Sequence, residues 1–347
     1  MLGKLSRAIS LDDIEALEEC IMEEVDINEK DENGDTPLIK AARSQAIKAL
    51  ECLIRNNVRL EEVDSKGQTA LHCAVECTKN STLCVEMLLD AHADKEAWNS
   101  IYGDTPLALA CRLGKEEAAR LLIERGANVE GAFGQPNNAA VGDNVERFPD
   151  ITAELKQEDT PLMLAAKEGS FKVVKSLLNR GANVHALDYC QNTALHYAAR
   201  KGRDSCMELL LLKGADKNAE NDAGDTPFFL AAVHGRVHAL RCLINHKVDV
   251  NSTDSFDLTA LMLAIENANT ESVRYLVAVG ADTQKLDECG RNAFQQAEYL
   301  LKTEKAKTFP RDIQEYKDII DIIIRNTWFA GHQVVLSALK RSFTFPF

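Results

Sequence analysis

Ten cysteines and eight histidines are the residues of this chain best suited to chemistry, and their spacing decides whether they perform any. Zinc sites and disulfide frameworks need ligands or thiols that converge, which in sequence means closely spaced pairs. The cysteines stand at 20, 52, 73, 77, 84, 111, 190, 206, 242 and 289, without that pairing. Most, including Cys52, Cys206 and Cys242, fall at apolar helical positions and read as small reduced core residues. Cys73 and Cys77, four apart beside His72, come nearest to a metal set, but no fourth ligand is evident. His234 and His238 are also four apart, with Gly235 between them at the end of a helix. His92, His185, His246 and His332 show no metal-ligand spacing. Catalysis requires a convergent nucleophile, base and oxyanion donors, and none is visible. Walker-type and dinucleotide Gly-rich loops are absent too. The expectation is a protein that is not an enzyme and carries no cofactor or metal.

Composition bounds the partners. The chain has 347 residues, 45% hydrophobic and 27% charged, which suits a water-soluble protein with a large buried core. Its formal net charge of −14 disfavours phosphate backbones, so no nucleic-acid partner is expected. The N-terminus places acidic residues in its first helical turns and has no apolar run, and no membrane span is apparent. With unpaired cysteines, this points to the cytoplasm or nucleus; a monomer is expected.

The elements that would carry any site follow from one repeated stretch, DTPLMLAAKEGSFKVVKSLLNRGANV at 159–184. Thr160 can cap a helix whose first turn tolerates Pro161, and Gly169 ends it. Val173, Val174, Leu177 and Leu178 then recur at a helical period, and Gly181 stops the second helix. Fixing the frame on that threonine gives Thr36, Thr69, Thr105, Thr160, Thr193, Thr226 and Thr259, at intervals of 33, 36, 55, 33, 33 and 33.

A 33-residue period of two helices, with TALHCAV at 69–75, TALHYAARKG at 193–202, RGANV at 125–129 and 180–184, and KGADKNAENDAGDTP at 213–227, resembles the ankyrin repeat family. The resemblance covers about nine-tenths of the chain. It implies an all-α fold, an ankyrin-repeat solenoid of paired antiparallel helices joined by β-hairpin-like loops. About nine units are expected, near 1–33, 34–66, 67–102, 103–135, 158–190, 191–223, 224–256, 257–289 and 290–326, the first and last degenerate caps. Domain boundaries read as an ankyrin repeat domain at 1–326 and an apolar tail at 327–347. The 36-residue interval places three extra residues in 76–84, and Gln45, standing where later units have glycine, suggests a less sharp inter-helix turn. The 55-residue interval puts an insertion at 130–157, a loop by its Gly, Pro and Asn content.

For function, the resemblance implies a non-catalytic protein–protein interaction module or scaffold that binds a protein or peptide through hairpin tips and a concave groove. His72 and His196 occupy the T-A-L-H position, where the imidazole hydrogen-bonds between adjacent repeats in this family. The tips are acidic (Glu29, Asp31, Glu32, Asp35, Glu61, Glu62, Asp64, Glu220, Asp222, Asp287, Glu288), which favours a partner with basic segments, although Asp is also a turn former. The ends of the first helices carry a basic strip of Arg112, Lys167, Arg200, Lys201, Arg203 and Arg236. Aromatic tip residues Trp98, Tyr102, Tyr189 and Phe256 complete the expected partner-binding set. Asn218 and Asn251, each with an acidic residue two before and Leu eight before, match the pattern that asparaginyl hydroxylases modify in some ankyrin repeats. The alternative is an adaptor or host-directed effector, such as a ubiquitin-ligase substrate receptor, that recruits a second protein through the tail.

Overall fold

Threonine caps start most of the first helices of the pairs and fix the repeat. The Oγ1 atoms of Thr36, Thr105, Thr160, Thr226 and Thr259 each accept the backbone N–H three residues on at 3.3 Å. Pro37, Pro106, Pro161 and Pro227 follow their caps directly, where a missing N–H costs nothing. The computed structural model describes residues 2–77, 81–130, 159–302 and 313–326. The loop expected at 130–157, apart from its first residue, and the tail at 327–347 lie outside the described residues.

The chain divides into two compact units, Met1–Tyr189 and Cys190–Phe347. In the first, helices pair as α1 (Leu2–Leu11) with α2 (Ile14–Met22), α3 (Pro37–Ser44) with α4 (Ile47–Arg55), and α5 (Ala70–Glu76) with α6 (Ser81–Asp90). Two further pairs follow, α7 (Pro106–Arg112) with α8 (Glu116–Glu124) and α9 (Pro161–Glu168) with α10 (Phe171–Asn179). First helices pack on first helices and second on second. The stack continues from α7 to α9 across the long interval, and Glu130 Oε1 accepts the Asn183 N–H at 2.8 Å. In the second unit the pairs are α11 (Ala194–Lys201) with α12 (Asp204–Leu212), α13 (Pro227–Val233) with α14 (Val237–Asn245), and α15 (Ala260–Glu266) with α16 (Thr270–Ala278). Helix α17 (Ala293–Lys302) packs on α15, and α18 (313–326) buries Tyr316, Ile319 and Ile323.

Alanine sets the spacing between stacked helices. Ala41, Ala42, Ala165, Ala166, Ala198, Ala199, Ala231 and Ala232 are fully buried on first helices, and their small side chains let neighbouring backbones approach closely. Leucines at 50, 53, 122, 177, 210, 240 and 243 fill the space on the second helices, each contributing about 2 kcal/mol by leaving water. Among the described residues no strand forms. The tips close instead through single turn bonds such as Asp31 N to Asp35 O, 2.9 Å, and Asp254 N to Leu258 O, 3.0 Å.

Two local expectations are corrected. Gln45 takes the left-handed conformation (φ 59°, ψ 34°) and donates its N–H to Ala41 O and Ala42 O, so this turn is as tight as the glycine ones. The extra residues near 76–84 are two rather than three, since the positive-φ residues Asn57 and His92 that end α4 and α6 stand two residues further apart than the period. The third lies in the tip, where Asn99 N bonds Asp104 O five residues on instead of four. Asn292, standing in place of the repeat threonine, still caps α17, for its side chain and that of Gln295 each accept the other's backbone N–H at 3.0 Å.

Candidate functional site

The two T-A-L-H histidines are part of the scaffold. Nδ1 of His196 accepts the Thr193 N–H at 3.0 Å, which leaves Nε2 to donate to Asp225 O at 3.1 Å. His72 repeats this with Thr69 N at 3.3 Å and Asp104 O at 3.0 Å. Burial pushes the His72 imidazole down to about 4, so it is neutral under ordinary conditions. Asp104 and Asp225 thereby hold the same position in their repeats, the last residue of a tip turn.

What faces these two aspartates differs. In the first unit Arg112, eight residues on at the end of α7, forks onto Asp104 at 2.7 and 2.9 Å. Asp104 is 0% exposed, and burial without that guanidinium would leave an uncompensated charge. The same guanidinium lies 4.9 Å above the Tyr102 ring and steadies it at the lengthened tip. Arg43 likewise bridges Asp35 at 3.1 Å and Asp64 at 2.8 Å.

In the second unit the residue eight after Asp225 is Val233. No hydrogen-bond donor reaches the Asp225 carboxylate among the described residues. A cleft of about 280 Å³ opens there, lined by Asn192, Tyr197, Arg200, Asn221, Leu230 and His234 as well as Asp225 and Val233. Asn221 shapes its floor, donating to Asn192 Oδ1 at 2.9 Å and accepting the Asp225 N–H at 2.9 Å. Burial raises the Asp225 carboxyl above the usual carboxylate range, and the Asp254 charge adds to this. Burial lowers His234, and the neighbouring Arg200, Arg236 and Lys201 lower it further. The cleft thus combines an unpaired carboxylate with a cationic rim. Arg236 Nε donates to Arg200 O at 3.1 Å, and Gly202 permits this approach, since a Cβ there would stand 3.1 Å from Arg236 Cδ.

The expected binding residues therefore separate. Arg112 is committed to Asp104, and Lys167 and Arg203 are half-buried with partners of their own. Arg200, Lys201 and Arg236 are exposed and sit together at the second unit's cleft. Trp98 and Tyr102 are 40% and 49% exposed on the lengthened tip, beside exposed Ile101. That tip is pinned by Ser100 N donating to Lys66 O at 3.0 Å, over Gly67, where a Cβ would stand 2.9 Å from Ser100 N. Tyr189 and Phe256 are exposed on other tips. Asn192, Asn221 and Asp225 carry no signal of their own in sequence beyond the turn-forming run at 221–225, and His234 stands out there only for its spacing from His238.

The acidic tips owe much of their composition to turn geometry. Asp31, Asp64 and Asp287 each accept two N–H groups of their own turns. Burial would raise the Asp31 carboxyl, but the N–H groups of Asn33 and Asp35 and the Lys40 ammonium hold it below the usual range. Glu61 links adjacent repeats by accepting the Asp94 N–H at 2.9 Å, as Asn28 does for Arg59 and Asn251 for Asp282, both at 2.8 Å. Asn251 therefore has a structural task in addition to its turn, whereas Asn218 is exposed.

Comparison with known proteins agrees with this architecture. The family described as "Ankyrin repeats (3 copies)" matches residues 5–99, 139–221 and 209–287, and "Ankyrin repeat" matches 102–132. An ankyrin repeat and KH domain-containing protein of Caenorhabditis briggsae, CBG24701, is 35% identical over 107 residues, 29% of this chain and 4% of that protein. The B-cell lymphoma 3 protein homolog of Mus musculus is 33% identical over 127 residues, 35% of this chain and 23% of that protein. The chain thus spans less than a quarter of the length of either relative. The solved ankyrin repeat domain of Bcl-3, described as a unique member of the IkappaB protein family, superposes with a TM-score of 0.54 at 27% identity. That match covers 69% of this chain and 97% of the solved one. The repeat is a protein–protein interaction architecture, and the matched segments cover well over half of the residues: the chain belongs to the ankyrin repeat family.

Proposed function

We propose that the chain is a non-catalytic scaffold that captures an extended segment of a partner protein in the cleft of its second unit. The observation that carries this reading is Asp225, which repeats the place of Asp104 but faces Val233 where Asp104 faces Arg112. A basic side chain of the partner then supplies the missing cation, and an adjacent partner carboxylate meets Arg200, Lys201 and Arg236. Pairing a half-buried carboxylate with a guanidinium is a strong, geometrically selective contact. The exposed Trp98 and Tyr102 offer a separate aromatic contact on the first unit.

The test is affinity capture from lysate of the source organism, read by quantitative mass spectrometry, with the full chain and its Val233→Arg and Asp225→Asn variants. A stoichiometric partner retained by the parent and lost by both variants, with melting unchanged, is the expected result. Equal capture by Val233→Arg, or no stoichiometric partner at all, rejects the reading.

A further inference from the structure

Away from the cleft, on the second helices of the same unit, three metal-ligating groups converge. Cys242 and His246 are one helical turn apart at the end of α14, a spacing that stacks side chains on one face. Glu208 projects from α12, which packs against α14. The three ligand atoms lie within 4.8 Å of one another, and His246 Nε2 is 2.9 Å from Glu208 Oε2. The thiol is buried, while the imidazole and carboxylate are 27% and 47% exposed, so an ion arriving from solvent meets the two rim groups first. Lys217 Nζ donates to the carbonyls of His246 and Lys247 at 2.6 and 3.0 Å and so holds the turn that carries the imidazole. Asp204, one turn before Glu208, adds negative charge toward Cys242, and its buried Oδ1 has no hydrogen-bond partner among the described residues. In the sequence His246 is one of several scattered histidines and Cys242 sits at an apolar helical position, because the third group arrives from the preceding repeat.

We propose that Glu208, Cys242 and His246 form a binding site for a zinc-class divalent ion. One thiolate, one imidazole and one carboxylate suit zinc or cobalt over magnesium or calcium, whose ligands are oxygens. Tetrahedral zinc places its ligand atoms about 3.5 Å apart, a spacing that falls within the range of the present separations. On binding, the Cys242 S–H bond breaks, its proton leaves to solvent and a metal–sulfur bond forms; neutral His246 donates a ring-nitrogen lone pair, and water completes the shell. The ion would tie α12 to α14 and stabilise this unit by mass action.

The test uses the full chain stripped with a chelator and titrated with Co²⁺ alone, then competed with Zn²⁺. A thiolate-to-cobalt charge-transfer band saturating at one equivalent, bleached by Zn²⁺ and accompanied by a higher melting temperature, is expected. Cys242→Ser should abolish the band. Since loss of an outer-shell partner already weakens metal binding by about 10- to 100-fold, His246→Gln and Glu208→Gln should each weaken it by at least about 100-fold. These two rim substitutions keep the test valid if Cys242→Ser fails to fold by circular dichroism. No band, a band unchanged in Cys242→Ser, or unaltered affinity in both rim variants overturns the proposal, the last two by assigning the ion to other cysteines.

Discussion

The ends of the first-unit helix α7 and the second-unit helix α13 are the same place in two repeats, and they solve the same problem differently. Both lie under a tip aspartate whose carbonyl receives a histidine Nε2–H. In the first, Asp104 is sealed by Arg112 and the groove is closed by its own ion pair. In the second, Val233 leaves Asp225 open beside Arg200 and His234. The difference teaches that charge in an ankyrin groove is informative only after the pairs internal to the repeat are removed. A basic residue eight positions after a tip aspartate belongs to the fold, and an aspartate without one is where a partner can add free energy.

The largest effect expected is that of Arg112→Ala. It strands a fully buried carboxylate, and urea denaturation should show a loss of about 3–5 kcal/mol; a loss below about 1 kcal/mol, as for an exposed pair, would make the two grooves equivalent. Next is the pH dependence carried by His72. Its folded pKa of about 4 lies below its ordinary value of 6.5, so the unfolded chain binds the proton first. Stability should therefore fall as pH drops from 6.5 toward 4, by up to about 3 kcal/mol, and then level off for this residue. His72→Gln should flatten that part of the profile, whereas an unchanged slope would show that the imidazole titrates freely.

Smaller effects come from the turns that shape each groove. Gln45→Gly should raise stability by about 0.5–1 kcal/mol, because glycine adopts positive φ without a Cβ clash. Gly202→Ala should lower it by about 1 kcal/mol or more, since φ is 69° and Arg236 lies against the site. Equal and opposite signs here would sharpen the comparison, and a gain from both would break it. The smallest change in stability is that of Val233→Arg, within about 1 kcal/mol because the cleft is half open to water, although it should occlude the cleft.

Much of the fold was legible in sequence because its determinants are local. Threonine caps, proline at the first turn and glycine at helix ends act within four residues, so a 33-residue frame exposes them directly. The capping role of Asn292 and the left-handed Gln45 were less visible, as each substitutes a different side chain for the same backbone task. The site was legible only in part. Arg112 and Arg200 look alike in a sequence, each eight residues after the last residue of a tip turn, and what separates them is that this residue is Asp104 in one repeat and Asn192 in the other. The Trp98 and Tyr102 tip was named from sequence for its rings; the added residue between Asn99 and Asp104, which lengthens that tip, emerges only from the turn bond.

The central claim is that the second unit's groove is open to a partner and the first unit's is not. Site-specific photo-crosslinking tests it most directly, with benzoylphenylalanine placed at His234, which lines the cleft beside Val233, in one full-length variant and at its counterpart Leu113, an exposed neighbour of Arg112, in another. After irradiation in lysate, position 234 is predicted to yield a discrete adduct, competed away by unlabelled parent protein, and position 113 to yield none. An adduct at 113 with none at 234 would contradict the account.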